Sequence, residues 1–95
     1  MGLFSKKPNA DKLLAEALAD YRNENYSACY EKVCSACNLN SARAYFCKAL
    51  LIYNDNVSDS PVDVDELKSL TKKAVDGGYP LAYGFYAYIL HMVFY

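Results

Sequence analysis

Apolar residues along this chain recur three and four positions apart, in five stretches separated by polar breaks. That spacing is the mark of helices with one face turned inward. Leu13, Leu14, Ala17, Leu18 and Tyr21 place a first helix from Asn9 or Ala10 to about Asn23, and Asn23-Glu24-Asn25 reads as a turn. A second helix, over about 26–37, carries Cys29, Tyr30, Val33, Cys34 and Cys37 on one side. Asn38 then stands where a left-handed C-cap is wanted, because Asn tolerates positive φ better than most residues. A third helix, over about 41–53, has Ala42, Phe46, Ala49, Leu50 and Tyr53 on one stripe, with Arg43 and Lys48 off it.

A polar, acidic break covers 54–61. Asp63 followed by Glu66 has the pattern of a capping box, with Ser60-Pro61 as a competing start. The fourth helix, to about Asp76, turns Leu67, Leu70, Ala74 and Val75 inward and Lys68, Lys72 and Lys73 outward. Lys72 and Lys73 also suit the negative end of its dipole. Gly77-Gly78 stops it, and Pro80 opens the last helix where a missing N–H costs nothing. From Tyr79 to Tyr95 there is no formal charge. These 17 residues reach only the bottom of the membrane-spanning range, and five tyrosines, Gly84, His91 and the lack of basic anchors argue against a span. A helix covered by its own chain or by a partner is the better reading. The end of a helical stack normally shows water a polar face, and this one has none. Self-association through the last helix, as a homodimer, is therefore expected.

Shifted back by forty, the residues Ala74, Val75, Gly78, Ala82, Tyr86, Ala87 and Leu90 meet their like in Cys34, Ser35, Asn38, Ala42, Phe46, Cys47 and Leu50. Self-similarity at a fixed period signals stacked helical pairs. Together with Asp63 and Leu70, the later set resembles the Sel-one-like repeat, a branch of the tetratricopeptide (TPR) superfamily. It departs from that pattern at Leu67, Tyr86 and Ala87, where Ala, Leu and Gly are usual. Ala17, Tyr26, Cys29, Val33 and Ala36 resemble an ordinary TPR unit. The resemblance spans about residues 10–95. It implies an all-α, short α-solenoid of about five helices in antiparallel pairs; residues 1–8, ending at Pro8, read as a flexible tail, and the length makes 9–95 one domain. Small side chains at Cys34, Cys47, Ala49, Ala74, Ala82 and Ala87 let such helices approach closely.

Composition narrows the partner. A formal net charge of −1 gives no reason to expect nucleic acid or an anionic membrane, and 54% apolar content makes a folded domain the expectation. Ten Tyr and no Trp suit both half-wet cores and interfaces. The start, MGLFSKKPN, lacks an apolar run and a cleavage site, and Lys6 stands where a myristoylation motif needs Ser or Thr. A cytoplasmic protein with four reduced cysteines is expected.

Little catalytic chemistry is legible. Cys34-Ser35-Ala36-Cys37 is a C-x-x-C, but it falls in a last helical turn, where the dipole opposes a thiolate. A zinc site would need two more ligands from Cys29, Cys47 or His91, so the cysteines read as small core residues. Asp55, Asp59, Asp63, Asp65 and Glu66 lack the spacing of a calcium loop. No metal, cofactor or enzymatic activity is expected. In TPR-like stacks the first helix of each pair lines a concave surface. That resemblance would put Leu14, Leu18, Tyr21, Ala44, Lys48, Leu51, Leu81, Gly84, Tyr88 and His91 there, with Arg43 and Lys48 orienting the ligand. So apolar a surface suits a partner helix or apolar peptide rather than an acidic tail. The expectation is an adaptor or scaffold module. The alternatives are a small inhibitor that covers a larger machine, and a membrane-associated protein held by residues 79–95.

Overall fold

In the computed structural model the described residues are 9–54 and 63–94, with side chains described as far as His91. The expected tail over 1–8, most of the acidic break and the alternative start at Ser60-Pro61 lie outside them. The described residues are all-α: α1 (Ala10–Arg22), α2 (Tyr26–Cys37), α3 (Ala42–Tyr53), α4 (Val64–Asp76) and α5 (Pro80–Phe94).

Side-chain caps set three of the starts. The Asn9 side chain accepts from the backbone N–H of Asp11 at 2.8 Å, Ser41 from that of Ala44 at 3.1 Å, and Asp63 from that of Glu66 at 3.1 Å. Each satisfies a donor that the first helical turn leaves without a partner. Three turns end on a left-handed residue: Glu24 (φ 61°), Asn40 (φ 59°) and Gly78 (φ 82°). After α4 the Tyr79 N–H reaches the Ala74 carbonyl at 3.0 Å and the Gly78 N–H reaches Val75 at 2.9 Å, which is a Schellman ending.

The expected left-handed cap at Asn38 is corrected. Asn38 remains right-handed at φ −66°, and the chain reverses two residues later. Bonds from Leu39 to Ala36 and from Asn40 to Cys37 add one tight turn to the end of α2. The Asn40 side chain then accepts from the Tyr45 hydroxyl at 3.0 Å, which pins the reversal to α3.

Each helix packs most closely on the helices before and after it in the chain. Two apolar clusters result, and α3 belongs to both. Leu14, Ala17, Cys29, Val33, Ala36 and Cys37 close around Ala44 and Leu51. Leu67, Leu70 and Ile89 close around Ala49. Ala44 and Ala49 are both fully buried, so α3 can be approached from two sides because it presents methyl groups there. Inner faces differ slightly from expectation. Ala36 and Thr71 are fully buried, while Val75 is only half-buried. Thr71 lies one turn beyond Leu67 and donates its hydroxyl to the Leu67 carbonyl at 2.6 Å, so its polar atom is satisfied within the helix.

Aromatic rings join α3 to the last hairpin. Phe46 meets Tyr79 and Phe85 at 5.3 and 5.7 Å between ring centres, and Tyr53 meets Phe85 and Tyr88 at 5.5 and 6.0 Å. Pairs of this geometry contribute about 0.5–1.5 kcal/mol each beyond their buried area.

Burial recurs along the chain, but at a spacing of 38 rather than forty. Cys29, Val33, Ala36, Ala44 and Leu51 are buried, and so are Leu67, Thr71, Ala74, Ala82 and Ile89. At the same offset Asn25 and Asp63 occupy the N-cap positions, and Asn40 and Gly78 are the left-handed residues.

Candidate protein-interaction groove

Between α1 and α3, with α2 as its floor, lies an apolar groove of about 310 Å³. Leu14, Ala17, Leu18 and Tyr21 form one wall, and Arg43, Cys47, Leu50, Leu51 and Asn54 the other. Cys29 and Val33 close it from below. The volume lies at the small end of ligand pockets, so it fits a few large side chains and not a whole helix. Leu18 and Tyr21 stand on its rim with 45% and 37% of their surface exposed, which leaves apolar area open to a partner. Arg43 marks one end. Its guanidinium lies 3.9 Å from Asp11, with both side chains well exposed, an ion pair too loose to hold it against a better partner.

Two thiols line the groove, and burial keeps both protonated. Burial pushes the Cys29 thiol up, reinforced by Asp20 and opposed by Lys32. Cys47 is pushed up chiefly by burial, opposed by Arg43. Behind the groove, burial pushes Cys37 up to about 11 and Tyr30 up to about 12. A thiol held protonated is neither a nucleophile nor a metal ligand without losing that proton. All four cysteines are free thiols, and among the described residues no three His, Cys, Asp or Glu side chains gather.

Of the residues expected to meet a partner, Leu14, Leu18, Tyr21, Arg43 and Leu51 come together in the groove. Ala44 and Lys48 do not line it. Ala44 is fully buried, because α3 is packed on both sides. Lys48 turns toward α2, its ammonium 5.8 Å from the centre of the Tyr30 ring, where a cation–π contact holds it. Leu81, Tyr88 and His91 belong to a separate surface on α5, exposed together with Tyr83, Gly84 and Ala87. The Tyr88 hydroxyl sits 3.0 Å from that of Tyr53, and no side chain of α5 lines the groove. Sequence reasoning missed Ala17, Cys29, Val33, Cys47, Leu50 and Asn54 as lining residues. Ala17, Cys29, Val33 and Leu50 carry only a core-like signal, and the floor comes from the second helix of a pair.

Among the described residues no helix is long and apolar enough to cross a membrane. No protein-family model matches the chain, and neither the curated proteins nor the solved structures give a match.

Proposed function

We propose that this protein is an interaction module, a short TPR/Sel-one-like stack that binds a partner helix or apolar peptide in the α1–α3 groove. The observation that carries this reading is the groove itself: an apolar trough between two helices, with exposed Leu18 and Tyr21 on the rim and Arg43 at one end. The recurrence of burial, caps and left-handed turns at one spacing supports the stacked-pair architecture on which it rests. Bulky apolar side chains from the partner fill the trough, and Arg43 orients the partner through a carboxylate or carbonyl.

The test is a display library of amphipathic helical peptides panned against the full chain, with Leu18→Glu as the counter-target. Leu18 is half-exposed, so the change leaves the fold in place while putting a charge on the rim. Peptides that bind the native chain at least about tenfold more tightly than the variant are the expected result. Enrichment of peptides indifferent to Leu18→Glu, or no enrichment, counts against the groove.

A further inference from the structure

We propose that Tyr53 and Tyr88 form an oxidative cross-linking site, at which a carbon–carbon bond between their rings staples α3 to α5. Their hydroxyl oxygens lie 3.0 Å apart at the protein surface, although 35 positions separate them in the chain. The ring centres are 6.0 Å apart and the planes cross at 83°. Oxidised tyrosines couple at the carbons beside the hydroxyl, so two rings join only where their hydroxyl ends meet. Here they do. By contrast, the Tyr45 hydroxyl donates to the Asn40 side chain and the Tyr83 hydroxyl to the Val75 carbonyl.

Packing holds one ring and leaves the other within reach. Tyr53 is half-buried and meets Phe85 at 5.5 Å as well as Tyr88, so two rings of α5 hold it. Tyr88 is 48% exposed and can give an electron to an oxidant in solution. The hydrogen bond to Tyr88, with burial behind it, pushes the Tyr53 hydroxyl pKa up. Tyr53 is therefore a phenol at neutral pH, and its proton must leave with the electron.

The reaction needs a one-electron oxidant, and it balances. Each phenol gives one electron to the oxidant and one proton to water, which leaves a phenoxyl radical with spin on the carbons beside its oxygen. The two radicals pair to form the carbon–carbon bond. Each bonded carbon then releases its proton, each oxygen takes one up, and both rings return to phenols. The chain loses two hydrogens in all. The bond closes a loop that contains the whole of α4, between Val64 and Asp76. Such a closure takes freedom from the unfolded chain, as a disulfide of similar span does.

The test is photo-oxidation of the full chain, at low micromolar concentration, by a ruthenium(III) tris-bipyridyl complex. Peroxodisulfate is the final acceptor; it takes both electrons and splits into two sulfates. The expected product is a single chain two hydrogens lighter, in which mass mapping finds the peptide of Tyr53 joined to that of Tyr88. Tyr53→Phe and Tyr88→Phe each slow this product by at least about tenfold, because only a pair already held together reacts as one molecule. Tyr83→Phe, which removes a hydroxyl from a ring 55% exposed, leaves the rate unchanged. The cross-linked chain melts at least about 10 °C above the untreated one. A chain that gives no single-chain product, or product joined mainly at Tyr21 and Tyr26, whose rings meet at 5.2 Å, would overturn the proposal. So would a Tyr53–Tyr88 bond that leaves the melting temperature unmoved.

Discussion

The helices α4 and α5 form one hairpin, yet they solve the problem of the outer face in opposite ways. In α4, Leu67, Leu70, Thr71 and Ala74 are buried, and Asp65, Glu66, Lys72, Lys73 and Asp76 stand in water. Its charges also follow the dipole, with acids in the first turn and Lys73 in the last. Nothing about α4 needs a second molecule. In α5, Ala82 and Ile89 are buried, and the opposite side still carries leucine and tyrosine. Fully burying one such side chain is worth about 1.5–3 kcal/mol, and α5 leaves much of that unrealised. The contrast teaches that a helix's inner face reports on its own fold, whereas an unexplained outer face reports on its surroundings.

The comparison breaks first at Leu67. This side chain is fully buried where α4 meets α3 and α5, so Leu67→Ala should cost about 3 kcal/mol in urea unfolding, through lost burial and a residual cavity. A loss below about 1 kcal/mol would mean that the α4 core is loosely packed. Gly77→Ala comes next. A new methyl 2.6 Å from the Ala42 Cβ forces α3 and α4 apart, for a net loss of about 1–2 kcal/mol. The paired change Gly77→Ala with Ala42→Gly should recover part of it, because the facing methyl group is then gone. Failure to recover any would place the strain elsewhere.

Much of this was legible in advance, and the reasons are local. The starts of α4 and α5 could be read because Asp63, Gly77 and Pro80 mark them chemically, and the start of α2 because the turn Asn23-Glu24-Asn25 precedes it. Five of the eleven expected partner residues share the groove, in part because helical spacing alone puts Leu14, Leu18 and Tyr21 on one side of α1. The repeat spacing was misjudged by two residues. Small residues are dense here, so Ala42 and Ala44 both make plausible counterparts for Ala82, and only burial separates them. Lys48 misled because its attraction to the Tyr30 ring depends on how α2 and α3 pack, which a one-helix pattern does not encode. Thr71 was missed because its hydroxyl argues for water until its bond to the Leu67 carbonyl is known.

A smaller effect sharpens the α4 side. Asp63 accepts the Glu66 N–H at 3.1 Å at an exposed helix start, so Asp63→Ala should lower stability by about 1 kcal/mol. Asp63→Asn should retain most of that stability, because the amide oxygen can accept the same bond while losing only the charge's interaction with the dipole. Urea unfolding of the two variants separates cap from charge. Equal losses in both would assign the whole effect to charge.

The smallest expected change is the most discriminating, because it pits leucine against leucine. Leu81, in the first turn of α5, has 66% of its surface exposed, while Leu67 in α4 has none. If outer faces matter only to neighbours, Leu81→Ala should change unfolding stability by less than about 0.5 kcal/mol in dilute solution. Helix propensity will not mask this, since alanine and leucine are both strong helix formers. A Leu81→Ala loss as large as that of Leu67→Ala would show that the chain itself depends on the outer face of α5. The same leucine-to-alanine change then reads, at two positions on one hairpin, which face the fold requires and which face it does not.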